Sequence, residues 1–300
     1  MKMEKQIHID SIDAYNKLYG FETLHPLVSV VKHNSFPNNL SSVVFNYDVY
    51  ALFLKQGEGC TIRYGREKYD YQAGTIVSFK PGAHIEVVQN PNMPMPKSRG
   101  ILFHPDIIYG TQLGRRISEY SFFDYDQREA LHLSEREQIT IEGIFDTIED
   151  ELQHPIDKHS QQLITDSIEL LLDYCMRFYD RQFITRHKVN STILSDFDRN
   201  LTDYLISGKA EQIGIPMVNY FAEKACLSAG YFGDLIKKET GKTAQQYIQL
   251  RIIGQAKQWL LESQRSVNQV AVQLGFQYPQ HFTRMFKKVT GVSPSEYRAN

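Results

Sequence analysis

The chain has 300 residues, of which 42% are hydrophobic and 23% charged, and its formal net charge is -2. That composition belongs to folded globular domains, and the length suits two of them, so wholesale disorder and fibrous repeats are excluded. No run approaches the ~18–20 apolar residues of a membrane span, and the polar start Met1-Lys2-Met3-Glu4-Lys5-Gln6 lacks a signal peptide's apolar core, so no membrane partner and a cytoplasmic location are expected.

Residues 24–90 have the texture of sheet. Apolar and β-branched runs at 28–31, 42–45 and 50–54 are followed by segments at 60–64, 67–71, 75–79 and 84–88, and a further strand is expected at 100–104. Gly57, Gly59, Gly65, Gly74 and Gly82 punctuate them, and Pro91, Pro94 and Pro96 mark a loop or edge. Short strands between glycine turns form barrels or sandwiches, and an antiparallel β-barrel able to enclose one small ligand is the expected fold. His33, His84 and His104 fall near this sheet, but only His84 and Glu86 share a strand face. That spacing supplies no ligand set, so neither a metal nor a cofactor is expected. Tyr50, Arg63 and Tyr64 suit a polar-ligand pocket but are ordinary strand residues, and they are not taken as site residues. Cys60, Cys175 and Cys226 form no CxxC pair and read as small buried hydrophobes.

The middle of the chain is helical. Ser134 and Glu137 have capping-box spacing ahead of Ile141, Ile144, Phe145, Ile148 and Leu152. After Pro155, a wide stripe from Leu163 to Tyr179 predicts a second helix, making an antiparallel hairpin. A homodimer through helices 135–180 is expected. Residues 181–190 read as a linker between a domain at 1–182 and another at 191–300.

The last 110 residues carry 13 basic and 9 acidic side chains, against 20 and 26 in the rest, so a basic reader is joined to an acidic body. They also repeat themselves. Val218-Asn219-Tyr220-Phe221-Ala222 matches Val267-Asn268-Gln269-Val270-Ala271 at an offset of 49. Phe232, Leu235, Ile236, Lys237, Lys238, Thr240 and Gly241 match Phe282, Met285, Phe286, Lys287, Lys288, Thr290 and Gly291 at an offset of 50. Each copy reads as a short helix, a tight turn and a second helix. That supersecondary unit places its second helix in the DNA major groove. The turns are Cys226-Leu227-Ser228 and Gly275-Phe276-Gln277, and Ser228 is a good N-cap. Lys237, Lys238, Lys287 and Lys288 lie in the last turns, where they favour the helix end and are placed for phosphate contact. A long helix over 247–262, with Trp259 in its core face, joins the copies, and another is expected over 193–205. Two such units in one body span successive major grooves, about 34 Å apart.

At these residues the sequence resembles the AraC/XylS family of bacterial transcription regulators. The resemblance covers 191–298 and is most specific from Val270 through Phe276 and from Phe282 through Arg298. It implies an all-α DNA-binding domain with two helix-turn-helix units, and an N-terminal cupin-like barrel with a helical hairpin for sensing and dimerisation. The whole is then a two-domain α+β chain. Carried over residue by residue, it presents Gln280, His281 and Arg284 to the groove, where Gln280 suits adenine and Arg284 guanine. The matched positions in the first copy include Gly230, Gly233 and Asp234, which lack reach, and Tyr231 is placed to contact backbone or a thymine methyl. The resemblance also implies activation rather than repression, and RNA polymerase as a partner.

The expected function is therefore a sequence-specific double-stranded DNA-binding regulator, not an enzyme, controlled by an unknown small-molecule effector. Two alternatives stand beside it. One is an effector-independent DNA-binding protein whose barrel only dimerises or binds a partner protein. The other is a cupin-type metalloenzyme with an accessory helical domain, which would need a metal triad or acid/base pair in the sheet.

Overall fold

The computed structural model of the chain describes residues 5–33, 42–56, 74–88, 97–126, 129–262 and 264–299. It divides into two compact units, Met1–Thr185 and Arg186–Asn300. In the first, β1 (Lys5–Ile9) and α1 (Ile12–Tyr19) precede β2 (Val28–His33), β3 (Ser42–Tyr47) and β4 (Tyr50–Gln56). Then come β5 (Gly74–Phe79), β6 (Ala83–Val88) and β7 (Lys97–Phe103). Two short helices, α2 (Pro105–Ile108) and α3 (Gln112–Arg116), lead to β8 (Leu131–Leu133), and α4 (Glu135–Leu152) and α5 (Ser160–Thr185) complete the unit. The strands expected at 60–64 and 67–71, the prolines at 91–96, and Cys60, Arg63 and Tyr64 lie outside the described residues.

The strands do not close into a barrel, and this corrects the cupin-like expectation. One sheet has the order β1-β3-β6 and the other β2-β7-β4-β5-β8. β1 runs parallel to β3; the remaining pairs are antiparallel. Among the described residues no strand pair joins the two sheets. The reason lies in the connections. Only Asp48 and Val49 separate β3 from β4, a hairpin-length link. Instead of closing a hairpin, Asp48 N–H donates to the Ile9 carbonyl at 2.9 Å, and the chain passes into the other sheet. It returns between β5 and β6, where Gly82, at φ +86°, donates to the Tyr47 carbonyl at 2.7 Å. The two sheets share a core: Ile9, Val43, Phe45 and Tyr47 from one meet Val31, Ala51, Phe53, Val77 and Leu102 from the other.

The outer face of the five-stranded sheet carries a cross-strand row of Lys32, Arg99, Leu54, Ile76 and Leu131. Helix α4 lies over it. Arg99 donates to Glu142 at 2.9 Å and Asp146 at 2.7 Å, and also to Glu149. Burial opposes the Arg99 charge, but these carboxylates outweigh it and hold its pKa above the ordinary arginine value. The Ser134 capping box starts α4 as expected, with both reciprocal bonds formed. Helix α5 continues through 181–185, and the next helix begins at His187, so the segment expected as a linker is mostly helical.

Between the sheets lies a cavity of about 100 Å³, lined among others by Tyr15, Tyr19, His33, Tyr47, Phe53 and Phe79. His33 is 5% exposed. Its Nε2 is hydrogen-bonded to the Tyr15 hydroxyl at 2.9 Å, and its Nδ1 lies 3.3 Å from the Ser98 hydroxyl. The rings of Tyr19, Phe21 and Phe53 stand edge-on to it. His84 instead hydrogen-bonds Asn46 at the surface, and His104 caps α2. Among the described residues no group of three or more His, Cys, Asp or Glu could hold a metal ion. No described helix is long and apolar enough to cross a membrane.

Candidate nucleic-acid interface

The second unit is helical. It runs through α6 (His187–Ile206), α7 (Lys209–Ile213), α8 (Val218–Lys224), α9 (Ala229–Thr240), α10 (Ala244–Glu262), α11 (Val267–Gln273), α12 (Pro279–Thr290) and α13 (Pro294–Ala299). The sequence repeat is also a structural one. Leu227 N–H donates to the Ala222 carbonyl and Phe276 N–H to the Ala271 carbonyl, both at 3.0 Å. Gly241 and Gly291, at φ +71° and +84°, close α9 and α12 by donating to Lys237 and Lys287, both at 2.8 Å. Thr243 pairs with Gln246 at the start of α10 as Ser293 pairs with Glu296 at the start of α13. These matched caps set the two second helices in like positions after their turns.

At the first position of the turns, a glycine in one copy faces a side-chain-bearing residue in the other. Gly275 takes φ +90°, and its counterpart Cys226 takes φ +57°, the one non-glycine with positive φ among the described residues. Cys226 is exposed rather than the buried hydrophobe expected. A left-handed conformation costs a side-chain-bearing residue about 1–2 kcal/mol, and a glycine gives back about 0.4–1 kcal/mol through the freer unfolded chain. Cys226→Gly is therefore expected to stabilise the unit by about 0.5–1 kcal/mol, seen as a rise of a few degrees in Tm by calorimetry. A fall in Tm would mean the thiol makes a compensating contact.

Helix α12 buries Phe282 and Phe286 and leaves Gln280, His281, Arg284, Lys287 and Lys288 exposed. Phe286 is sealed between the rings of Phe282 and Tyr297, with centroids 5.7 and 5.5 Å away. The His281 ring stands 5.6 Å from that of Tyr278, the N-cap residue ahead of Pro279. One face is thus fixed in the core, and the opposite face carries long polar and cationic side chains.

On α9, Lys237 and Lys238 are exposed in the last turn. Gly233 opens on empty space: a Cβ there would meet nothing within 4 Å. Among the described residues no helix approaches closely enough to require that glycine. Tyr231 is not on the exposed face. It is fully buried with Phe232, Leu235 and Ile236. The apolar stripe of α9 is one residue wider than the matched stripe of α12, and the ring turns inward with it, which removes the DNA contact expected of Tyr231. Trp259 is only half-buried, with the Arg265 guanidinium 4.8 Å above its ring, rather than in the core. A group the sequence did not bring forward is Lys209, Tyr220 and Lys224, gathered from α7 and α8.

The helix-turn-helix domain family matches residues 221–300, which take in both turns. The chain is 36% identical over 94 residues to the uncharacterized transcriptional regulatory protein YesN of Bacillus subtilis, covering 30% of this chain and 26% of that protein. It is 24% identical over 246 residues to the arabinose operon regulatory protein of Salmonella typhimurium, covering 81% of each. It is 32% identical over 146 residues to the transposon Tn10 TetD protein of Escherichia coli, covering 48% of this chain and 92% of that one. The first two of these relatives are regulatory proteins by name. The narrower resemblance, to an AraC/XylS-type regulator with a cupin-like sensing domain, is corrected by the two open sheets of the first unit. With TetD matched over nearly its whole length, the chain belongs to one family with that protein, and its residues 221–300 are a helix-turn-helix domain.

Proposed function

We propose that this chain is a sequence-specific double-stranded DNA-binding transcription regulator whose second unit is the reader. The observation that supports this most is α12, with Phe282 and Phe286 sealed and Gln280, His281 and Arg284 presented together on the free face. Gln280 and Arg284 have the donor geometry for adenine and guanine edges, and Lys287 and Lys288 suit the flanking phosphates. Arg284→Ala is expected to weaken binding to the selected operator by about 1–3 kcal/mol and to relax preference at one base pair. The test is a selection of bound genomic fragments with full-length protein, followed by titration of the enriched and scrambled duplexes. Equal losses on both duplexes would make Arg284 a phosphate contact and sink its base-reading role.

The first unit, 1–182, is proposed to sense a small molecule and to dimerise through 135–180. The aromatic-lined cavity around His33 supports the first role. Leu163 and Leu170, seven residues apart on α5 and 50% and 49% exposed, support the second. Activation and contact with RNA polymerase complete the proposal. Purified protein that binds its operator identically in cell extract and in extract freed of small molecules would favour a regulator without an effector.

A further inference from the structure

The first helix-turn-helix has a recognition helix with little to offer a base. Gly230, Gly233 and Asp234 stand where α12 has Gln280, Thr283 and Arg284. Its first helix is differently equipped. On α8, Phe221 and Ala222 face the core, while Tyr220 and Lys224, four residues apart, share another side. Lys209 donates to the Tyr220 hydroxyl at 2.7 Å and lies 4.9 Å from the ring centre. Lys224 lies 5.3 Å from the same centre and donates to the Asn200 amide oxygen at 3.2 Å. Two ammonium groups therefore converge on one phenol. Their partners are neutral, and among the described residues neither forms an ion pair. Arg199 and Arg251 of the same unit are neutralised by Asp196 and Asp198. The hydrogen bond from Lys209 holds the Tyr220 phenol below its usual range, as uncompensated positive charge would.

We propose that Lys209, Tyr220 and Lys224 form a phosphate clamp that seats the first helix-turn-helix on the DNA backbone. This rests on the DNA-binding reading above. In this motif the first helix crosses the backbone while the second enters the groove, and Lys224 occupies the last turn of that first helix. A phosphodiester supplies the negative charge the cluster lacks and oxygens for both ammonium groups. The second copy has no such device: Gln269 and Gln273 stand at the matched positions, and Gln269 is engaged in the capping box of α11. The two units thus divide the work, with the first holding the backbone and the second reading bases.

The test is titration of full-length protein with a labelled random-sequence duplex of roughly 30 bp, about three helical turns, across a potassium chloride series. Lys209→Gln with Lys224→Gln should lower the slope of log affinity against log salt by about 2, since each phosphate contact contributes about 0.9. The loss should be the same on every sequence. Arg199→Gln removes the same charge per residue from an existing pair and should leave the slope unchanged. An unchanged slope in the double variant, in a protein that melts like wild type, overturns the clamp, as does a loss confined to one sequence. If inorganic phosphate raises the melting temperature of wild type but not of the double variant, and the DNA slope is unchanged, the cluster serves a free anion and the clamp is overturned. If wild type shows no salt-dependent binding, the DNA-binding reading itself fails, and the clamp with it.

Discussion

Gly275→Ala is expected to destabilise the second unit by about 3–4 kcal/mol and to abolish specific DNA binding. Two costs combine. Gly275 takes φ +90°, where a side chain is strained by about 1–2 kcal/mol. The added methyl would also sit 2.5 Å from the Gly214 carbonyl carbon and 2.7 Å from the Ile215 nitrogen. These are backbone atoms, so no rotamer change relieves the clash, and overpacking of that kind costs about 1–3 kcal/mol. Nor is Gly214 free to withdraw. Its N–H donates to the Ala210 carbonyl at 2.8 Å, and its own carbonyl accepts from the Tyr204 hydroxyl at 3.1 Å. The turn before α12 is thus braced against the segment leading into α8. Calorimetry of the full chain should show the transition of this unit lowered by roughly 10–20 °C. A Tm within a few degrees of wild type would mean the contact yields, and the bracing argument would fall. The opposite sign expected for Cys226→Gly makes the pair informative, because the two residues occupy one position of the same repeat.

What the sequence could and could not convey follows from the range of each signal. The duplicated unit was legible because a helix writes its buried face every three or four residues, and Phe232/Phe282, Ile236/Phe286 and Gly241/Gly291 recur in register. The strands were legible one by one for a similar reason. Their partners were not. Alternation marks which face of a strand is buried but is the same in a barrel and in two facing sheets. Closure was decided by where Asp48 and Gly82 found carbonyl acceptors, and by β1, a short Lys-Gln-Ile-His-Ile segment that took up one side of β3 in parallel. In the candidate site, the polar face of α12 was readable because one helix carries it whole. Tyr231 was misplaced because an amphipathic ring at the border of a stripe is as compatible with the core as with solvent. The Lys209 cluster drew no attention because its cations lie 15 residues apart and meet only through the packing of α7 on α8.

The stability of the first unit should fall steeply as pH drops from about 6.5 to about 4, and His33 should account for about 3 kcal/mol of the loss. Burial pushes the His33 imidazole down to about 4 in the folded chain, against an ordinary value of 6.5. Above pH 6.5 the ring is neutral in both folded and unfolded states, and its contribution is fully present. Between 6.5 and 4 the unfolded chain binds a proton that the folded chain refuses, so unfolding gains with each step down in pH. Below about 4 both states are protonated and the loss levels off. The surroundings explain the refusal. Tyr15 occupies Nε2, the Ser98 hydroxyl lies near Nδ1, and Lys55 lines the same cavity, with no carboxylate among the lining residues to stabilise an imidazolium. His25 is displaced in the same direction by burial and adds to the background, as carboxylates protonating at the low end also do. The His33 share is therefore read as a difference. Denaturant melts of wild type and His33→Gln should converge as pH falls, with the gap between them closing over 6.5 to 4. Parallel curves across that range would show that the imidazole is already solvated in the folded state, and the burial of His33 between the sheets would have to be given up with it.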